Sequence, residues 1–262
     1  MARRISGLVM LTLAVAAAAL LAGCGGVPTV GSGSPVSKQY DFKDFSRLEV
    51  GYAFDVQITR GDTYRVEVTV DDNLVDHLRV EQNGSTVRIA LDNVLSLGGT
   101  TRRATIVMPQ LAALDLSGAS RGDVSGFTAQ KAFAAKISGA STVTLSNVGA
   151  STTRLNLSGA SKANGDLKAD RLDAIASGAS QATLSGLSAS GTLDASGASR
   201  FNLPTFNFGT VTVRLSGAST AQLSASRSIA ADLSGASNLE YSGDATIREI
   251  QTSGASTITK VQ

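Results

Sequence analysis

In the second half of the chain, apolar and polar positions alternate with period two on either side of a recurring tetrapeptide, Ser-Gly-Ala-Ser. One and three residues before it the positions are apolar or small: Leu114 and Leu116, Leu155 and Leu157, Leu193 and Ala195, Val213 and Leu215. Two and four residues after it they are apolar again: Val143 and Leu145, Phe201 and Leu203, Ala221 and Leu223, Leu239 and Tyr241. Polar residues such as Thr142 and Thr144 stand between them. Such alternation predicts strands with one buried face. The eight copies begin at Ser117, Ser138, Ser158, Ser177, Ser196, Ser216, Ser234 and Ser253, so successive starts lie 21, 20, 19, 19, 20, 18 and 19 residues apart. A unit this short and regular buries its apolar face only against its neighbours. The pattern predicts an all-β fold, a parallel β-solenoid of about 19–20 residues per coil, with short strands meeting at a small-residue corner. The expected structural corners are Gly118, Gly139, Gly159, Gly178, Gly197, Gly217, Gly235 and Gly254. By strand parity, each Gly and each second Ser would share the inward side with the apolar positions, unless the corner breaks the alternation. In-register stacking would also bring the outward residues Asp194, Arg214 and Asp232 onto neighbouring rungs.

Composition supports a narrow interior. Trp is absent and aromatic residues make up 5% of the chain, so short aliphatic stacks must fill the core. Abundant Gly and Ser could signal disorder, but a disordered chain lacks a sustained apolar period. The formal charge of +2 vanishes once Arg3 and Arg4 are set aside, leaving 21 basic against 21 acidic residues. No basic stripe with interleaved aromatics is evident, which argues against a nucleic-acid partner.

The first residues form a different unit. Arg3 and Arg4 precede an apolar run, Leu8 to Leu21, that is short for a membrane span. The run ends in Leu21-Ala22-Gly23-Cys24, which resembles a bacterial lipobox. The resemblance implies a signal peptide over residues 1–23, cleavage before Cys24, and lipid on its sulfur, with the membrane as partner. Cys24 is the only cysteine, so no disulfide framework is expected. Residues 24–40, rich in Gly and Ser and holding Pro28 and Pro35, read as a flexible tether.

Residues 41–110 are β-rich without the tetrapeptide and are expected to close one end of the solenoid body formed by residues 111–262. Stretches 54–58 and 64–70 alternate, with a turn at Arg60-Gly61-Asp62-Thr63 between them. Asp71, Asp72 and Asn73 ahead of Leu74 predict a helical turn. Asn83-Gly84 predicts a hairpin, and Ala104 to Met108 a strand. The stretch Ala53-Phe54-Asp55-Val56, the turn Gly61-Asp62, the segment Asp71 to Leu74 and the Leu-x-Leu-Ser-Gly-Ala-Ser coils are similar to the head GIN domain of putative auto-transporter adhesins, over roughly Phe42 to Val261. That resemblance implies a right-handed β-helical body on the bacterial cell envelope and carries no catalytic residues with it.

The residues offer little catalytic chemistry. His77, the only histidine, sits in a polar turn, and no serine lies in a Gly-x-Ser-x-Gly elbow with supporting triad spacing. Eight identical tetrapeptides read as structure, and no column is uniformly acidic, so neither a metal nor a cofactor is expected. Arg60-Gly61-Asp62 and Arg121-Gly122-Asp123 match an integrin-binding tripeptide, but turn chemistry accounts for the first and strand alternation for the second. Phe201, Phe206 and Phe208 near Pro204 could form a sugar-stacking patch or a bulge packed on the core, the second being favoured. The expectation is a non-catalytic, lipid-anchored envelope module that presents a polar Thr/Ser-rich face to a glycan or a surface protein. The alternative is a carbohydrate-active enzyme on a β-helix scaffold, which needs paired carboxylates or a basic residue with a metal in a cleft.

Overall fold

The computed structural model describes residues 29–92 and 97–261, and Cys24 and the expected signal peptide lie outside them. The body is a parallel β-solenoid. In its first part the strands are β1 (Thr29–Val30), β2 (Pro35–Tyr40), β3 (Arg47–Val50), β4 (Asp55–Arg60), β5 (Arg65–Asp71), β6 (Leu78–Asn83), β7 (Thr86–Leu91), β8 (Leu97–Gly98) and β9 (Arg102–Met108). The repeat region continues with β10 (Ala113–Leu116), β11 (Arg121–Ser125), β12 (Gln130–Ile137), β13 (Thr142–Leu157), β14 (Lys162–Ala176), β15 (Gln181–Ala195), β16 (Arg200–Leu215) and β17 (Thr220–Leu233). It closes with β18 (Asn238–Ser242), β19 (Thr246–Thr252) and β20 (Thr257–Lys260). From β13 to β17 each strand runs from one corner to the next, pairing in parallel with the coil on either side.

The corner explains the tetrapeptide residue by residue. Gly takes a positive φ at every copy, from 62° to 76°, and it is exposed, so the corner breaks the strand parity that would have turned it inward. Ala is outward and small, and its N–H donates to the corner carbonyl one coil back, as Ala179 does to Gly159 at 2.8 Å. The second Ser is buried in every copy but the last, and in most coils its hydroxyl donates to the carbonyl of the first Ser, as in Ser180 to Ser177 at 2.7 Å and Ser199 to Ser196 at 2.8 Å. A buried carbonyl would otherwise lack a partner at the turn, so the hydroxyl is selected by hydrogen bonding and the inward position by the strand that follows.

Inside, Leu, Val, Ile and Ala form one continuous core along the solenoid. Coil length varies from 18 to 21 residues because extra residues are absorbed at the bend opposite the corner. Register shifts fall there, between Leu145 and Val148, between Thr183 and Gly186, and between Leu203 and Asn207. The strands keep their register on the residues next to each corner, and the strand before the last corner shifts once, between Ile229 and Ala230.

The first part of the chain departs from simple stacking. Strand β3 pairs with β10 on one side and β7 on the other, and β4 lies between β11 and β9. The β7–β9 coil, later in sequence, therefore sits outside the β3–β4 coil. Strand β5 then adds antiparallel to β9, β2 to β5, and β6 to β7. The Arg60–Thr63 turn thus joins strands separated by β9, and it is no hairpin. Asn83-Gly84 does make the β6–β7 hairpin. A 3-10 helix, Asp72–His77, inserts fully buried Leu74 at this end, although the Asp71 side chain caps nothing and instead accepts from the Thr101 N–H at 3.1 Å. Strand β2 corrects the expectation of a tether reaching residue 40: Pro35 is tolerated because β2 is the outer strand, where a missing N–H costs no ladder bond.

Candidate functional site

The described residues hold no group of three or more His, Cys, Asp or Glu arranged for a metal ion. His77 is half-buried, with Nδ1 3.0 Å from the carbonyl of Asp92, a local structural contact. Arg60 and Asp62 pair with each other at 3.2 Å, and Arg121-Gly122-Asp123 is extended strand with Gly122 turned into the core. Phe201, Phe206 and Phe208 are fully buried, and the last two pack ring to ring at 4.8 Å, so they support the bulge and offer no stacking surface.

What remains as a candidate is a face. The strand following each corner stacks through β2, β5, β9, β4, β11, β13, β14, β15, β16, β17, β18 and β20 into one sheet side roughly 50 Å long. Two outward columns run along it. The first, on the residue after each tetrapeptide, reads Arg121, Thr142, Lys162, Gln181, Arg200, Thr220, Asn238 and Thr257, and the non-sequential coils extend it through Asp55, Arg103, Thr69 and Ser37. The second, two residues on, includes Asp123, Thr144, Asn164, Thr183, Asn202, Gln222 and Glu240. Both columns are polar from end to end.

Several of these side chains are held in place by one another. Gln181 Nε2 donates to Thr183 Oγ1 at 3.1 Å, Arg200 Nε to Thr220 Oγ1 at 3.1 Å, and Thr257 Oγ1 to Asn238 Oδ1 at 2.7 Å. A flat array of preordered donors and acceptors can bind an extended polar partner with small ordering cost. The repeat region was legible here from spacing. The rungs from β2, β5 and β9 were not, because sequence order does not reveal that β9 inserts between β4 and β5.

The face on the other side of the corner carries the expected Asp194–Arg214–Asp232 register, with Asp194 opposite Arg214 and Arg214 opposite Asp232. Arg214 Nη1 pairs with Asp194 Oδ1 at 3.3 Å, and Asp232 is within no ion-pair distance. An exposed pair of this kind is worth about 0–1 kcal/mol and is screened by salt. Arg214→Asp, which sets three carboxylates on consecutive rungs, should lower the denaturation midpoint by an amount that shrinks in high salt. A salt-independent loss would contradict this electrostatic account.

The family model described as putative auto-transporter adhesin, head GIN domain, matches residues 44–245. The chain belongs to this family. No curated protein matches it. Among solved structures, a putative adhesin from Parabacteroides merdae ATCC 43184 is 17% identical with a TM-score of 0.83, covering 90% of this chain and 100% of its own. A putative adhesin from Parabacteroides distasonis ATCC 8503 is 22% identical with a TM-score of 0.82, at the same coverages. A putative lipid binding protein from the same organism is 19% identical with a TM-score of 0.80, again at 90% and 100%. At these identities the likeness is one of fold. The family thus agrees with an adhesion-like module, and no helix among the described residues is long and apolar enough to cross a membrane.

Proposed function

We propose that the protein is a lipid-anchored module of the cell envelope that works by binding and performs no chemistry. The observation that carries this reading is the uninterrupted polar face, whose two outward columns run along twelve strands; Asp194 and Asp232, which line one shallow cleft on the other side of the corner, lie two rungs apart with Arg214 between them. Membership of a family described as adhesin heads agrees with it. Lipid on Cys24 would hold the body by its capped end, since only four residues separate Cys24 from β1. The remaining coils would then project their polar face to a glycan or a surface protein.

Two measurements test this. Cys24→Ser should leave the protein unprocessed or release it from the membrane fraction. A variant that is cleaved and still sediments with membranes like the wild type contradicts the anchor. Incubation with envelope polysaccharide should show retention without any release of reducing ends. Release of reducing ends by the purified protein would favour the carbohydrate-active enzyme instead.

A further inference from the structure

The column beside the corners has a charge period of its own. Arg103, Arg121, Lys162 and Arg200 occupy every second rung, with Asp55, Thr142 and Gln181 on the rungs between. Rungs lie about 4.8 Å apart, so these cations repeat at roughly 10 Å along the solenoid. All four are exposed.

Across the corner several basic residues are paired, although Arg88 and Arg154 there form no ion pair among the described residues. There, Lys136 pairs with Asp115 at 3.3 Å, Arg171 with Asp173 at 2.9 Å and Arg214 with Asp194 at 3.3 Å. On the polar face, Arg121, Lys162 and Arg200 form no ion pair among the described residues, and neither does Arg103. Acidic residues do lie at its two ends: Asp55 separates Arg103 from Arg121, Asp123 stands beside Arg121, Glu67 lies among the rungs of the capped end, and Glu240 lies toward the far end. Between Thr142 and Gln222 both columns are free of carboxylates, leaving Lys162 and Arg200 as unneutralised charges among hydroxyls and amides.

We infer that this face binds a linear acidic polysaccharide with one carboxylate per disaccharide, laid along the solenoid axis. This rests on the binding function proposed above and names its ligand class. In an extended β-linked chain, alternate sugars are turned over, so a carboxylate on every second sugar projects to one side once per disaccharide. That distance is close to two rungs. The Thr, Asn and Gln side chains of the adjoining column then meet the hydroxyls of the sugars between.

The test uses the full chain in detergent and immobilised polymers of known repeat. Hyaluronan carries a carboxylate on every second sugar, polygalacturonate on every sugar, and dextran none; single-stranded DNA is a polyanion that carries phosphates instead of carboxylates. Lys162→Gln should weaken hyaluronan binding about threefold to fivefold at low salt, the size of one exposed charge contact. The decisive variant moves the charge by one rung, Lys162→Thr with Gln181→Lys, which keeps the net charge and breaks the two-rung period. It should lose hyaluronan as Lys162→Gln does, yet hold polygalacturonate like the wild type. Equal hyaluronan binding by the shifted variant and the wild type overturns the inference, as does single-stranded DNA bound as tightly as hyaluronan. Binding to dextran that Lys162→Gln leaves unchanged also overturns it, while leaving the polar face as a glycan-binding surface. Failure to bind any of the polymers removes the inference too, and the membrane-fraction experiment on Cys24 judges the anchoring separately.

Discussion

A valine in place of Gly178 should destabilise the solenoid by about 3 kcal/mol, whereas valine at the neighbouring Ala179 should cost less than about 1. Gly178 is exposed, so no core contact is lost. Two other effects act. Its φ of +76° lies where L side chains are strained, and β-branched ones most of all. A Cβ built on Gly178 would also stand 2.6 Å from the carbonyl oxygen of Gly159, which is the atom that accepts the Ala179 N–H. Relief requires the rung to open and its hydrogen bond to weaken, adding about 1 kcal/mol to the backbone strain. Ala179 shares the exposure and lacks the positive φ, which makes it the matched control. Chemical denaturation of the two variants beside the wild type reads the difference. Equal midpoints for wild type and Gly178→Val would remove the backbone account of the corner.

The same corner shows what a sequence can and cannot tell. Spacing alone located every Ser-Gly-Ala-Ser corner and the strands around it, because in-register stacking repeats the same apolar positions coil after coil. It did not tell which way Gly and the second Ser point, since period-two parity holds only while the backbone stays extended. The corner made by Gly51, Tyr52, Ala53 and Phe54 escaped notice altogether: register places it on the 117–120 corner, but Phe54 fills the core where the others have serine. Tyr52 and Ala53 there both take positive φ, 60° and 56°, without a glycine. The insertion of the β7–β9 coil outside β3–β4 was equally hidden, because a strand's pattern reports its buried face and not its neighbour. The two-rung charge period was readable in principle from the residue after each tetrapeptide. It becomes a pattern only when those residues are known to share one column, with Arg103 supplied from outside the repeats.

Phe201→Ala should remove about 3–5 kcal/mol, the range for emptying a buried aromatic site. The ring is fully buried in the inward column, where its neighbours one rung to either side are Ala182 and Ala221. One large side chain thus fills the width that its small neighbours leave open, and its loss would set four alanines in a row along the core, from Ala163 to Ala221. The surrounding strands cannot close on that space, because their spacing is fixed by ladders that continue into the next coils. Phe201→Leu should recover most of the stability, and Asn202→Ala, the outward neighbour, should change it by less than about 0.5 kcal/mol. Thermal and urea melts give these values, and polysaccharide retention measured on the folded fraction separates the two roles once considered for this phenylalanine. A ring that stacked on sugars would, when removed, abolish retention at unchanged stability. The buried ring described here predicts the reverse: a large fall in stability, and retention per folded molecule close to that of the wild type.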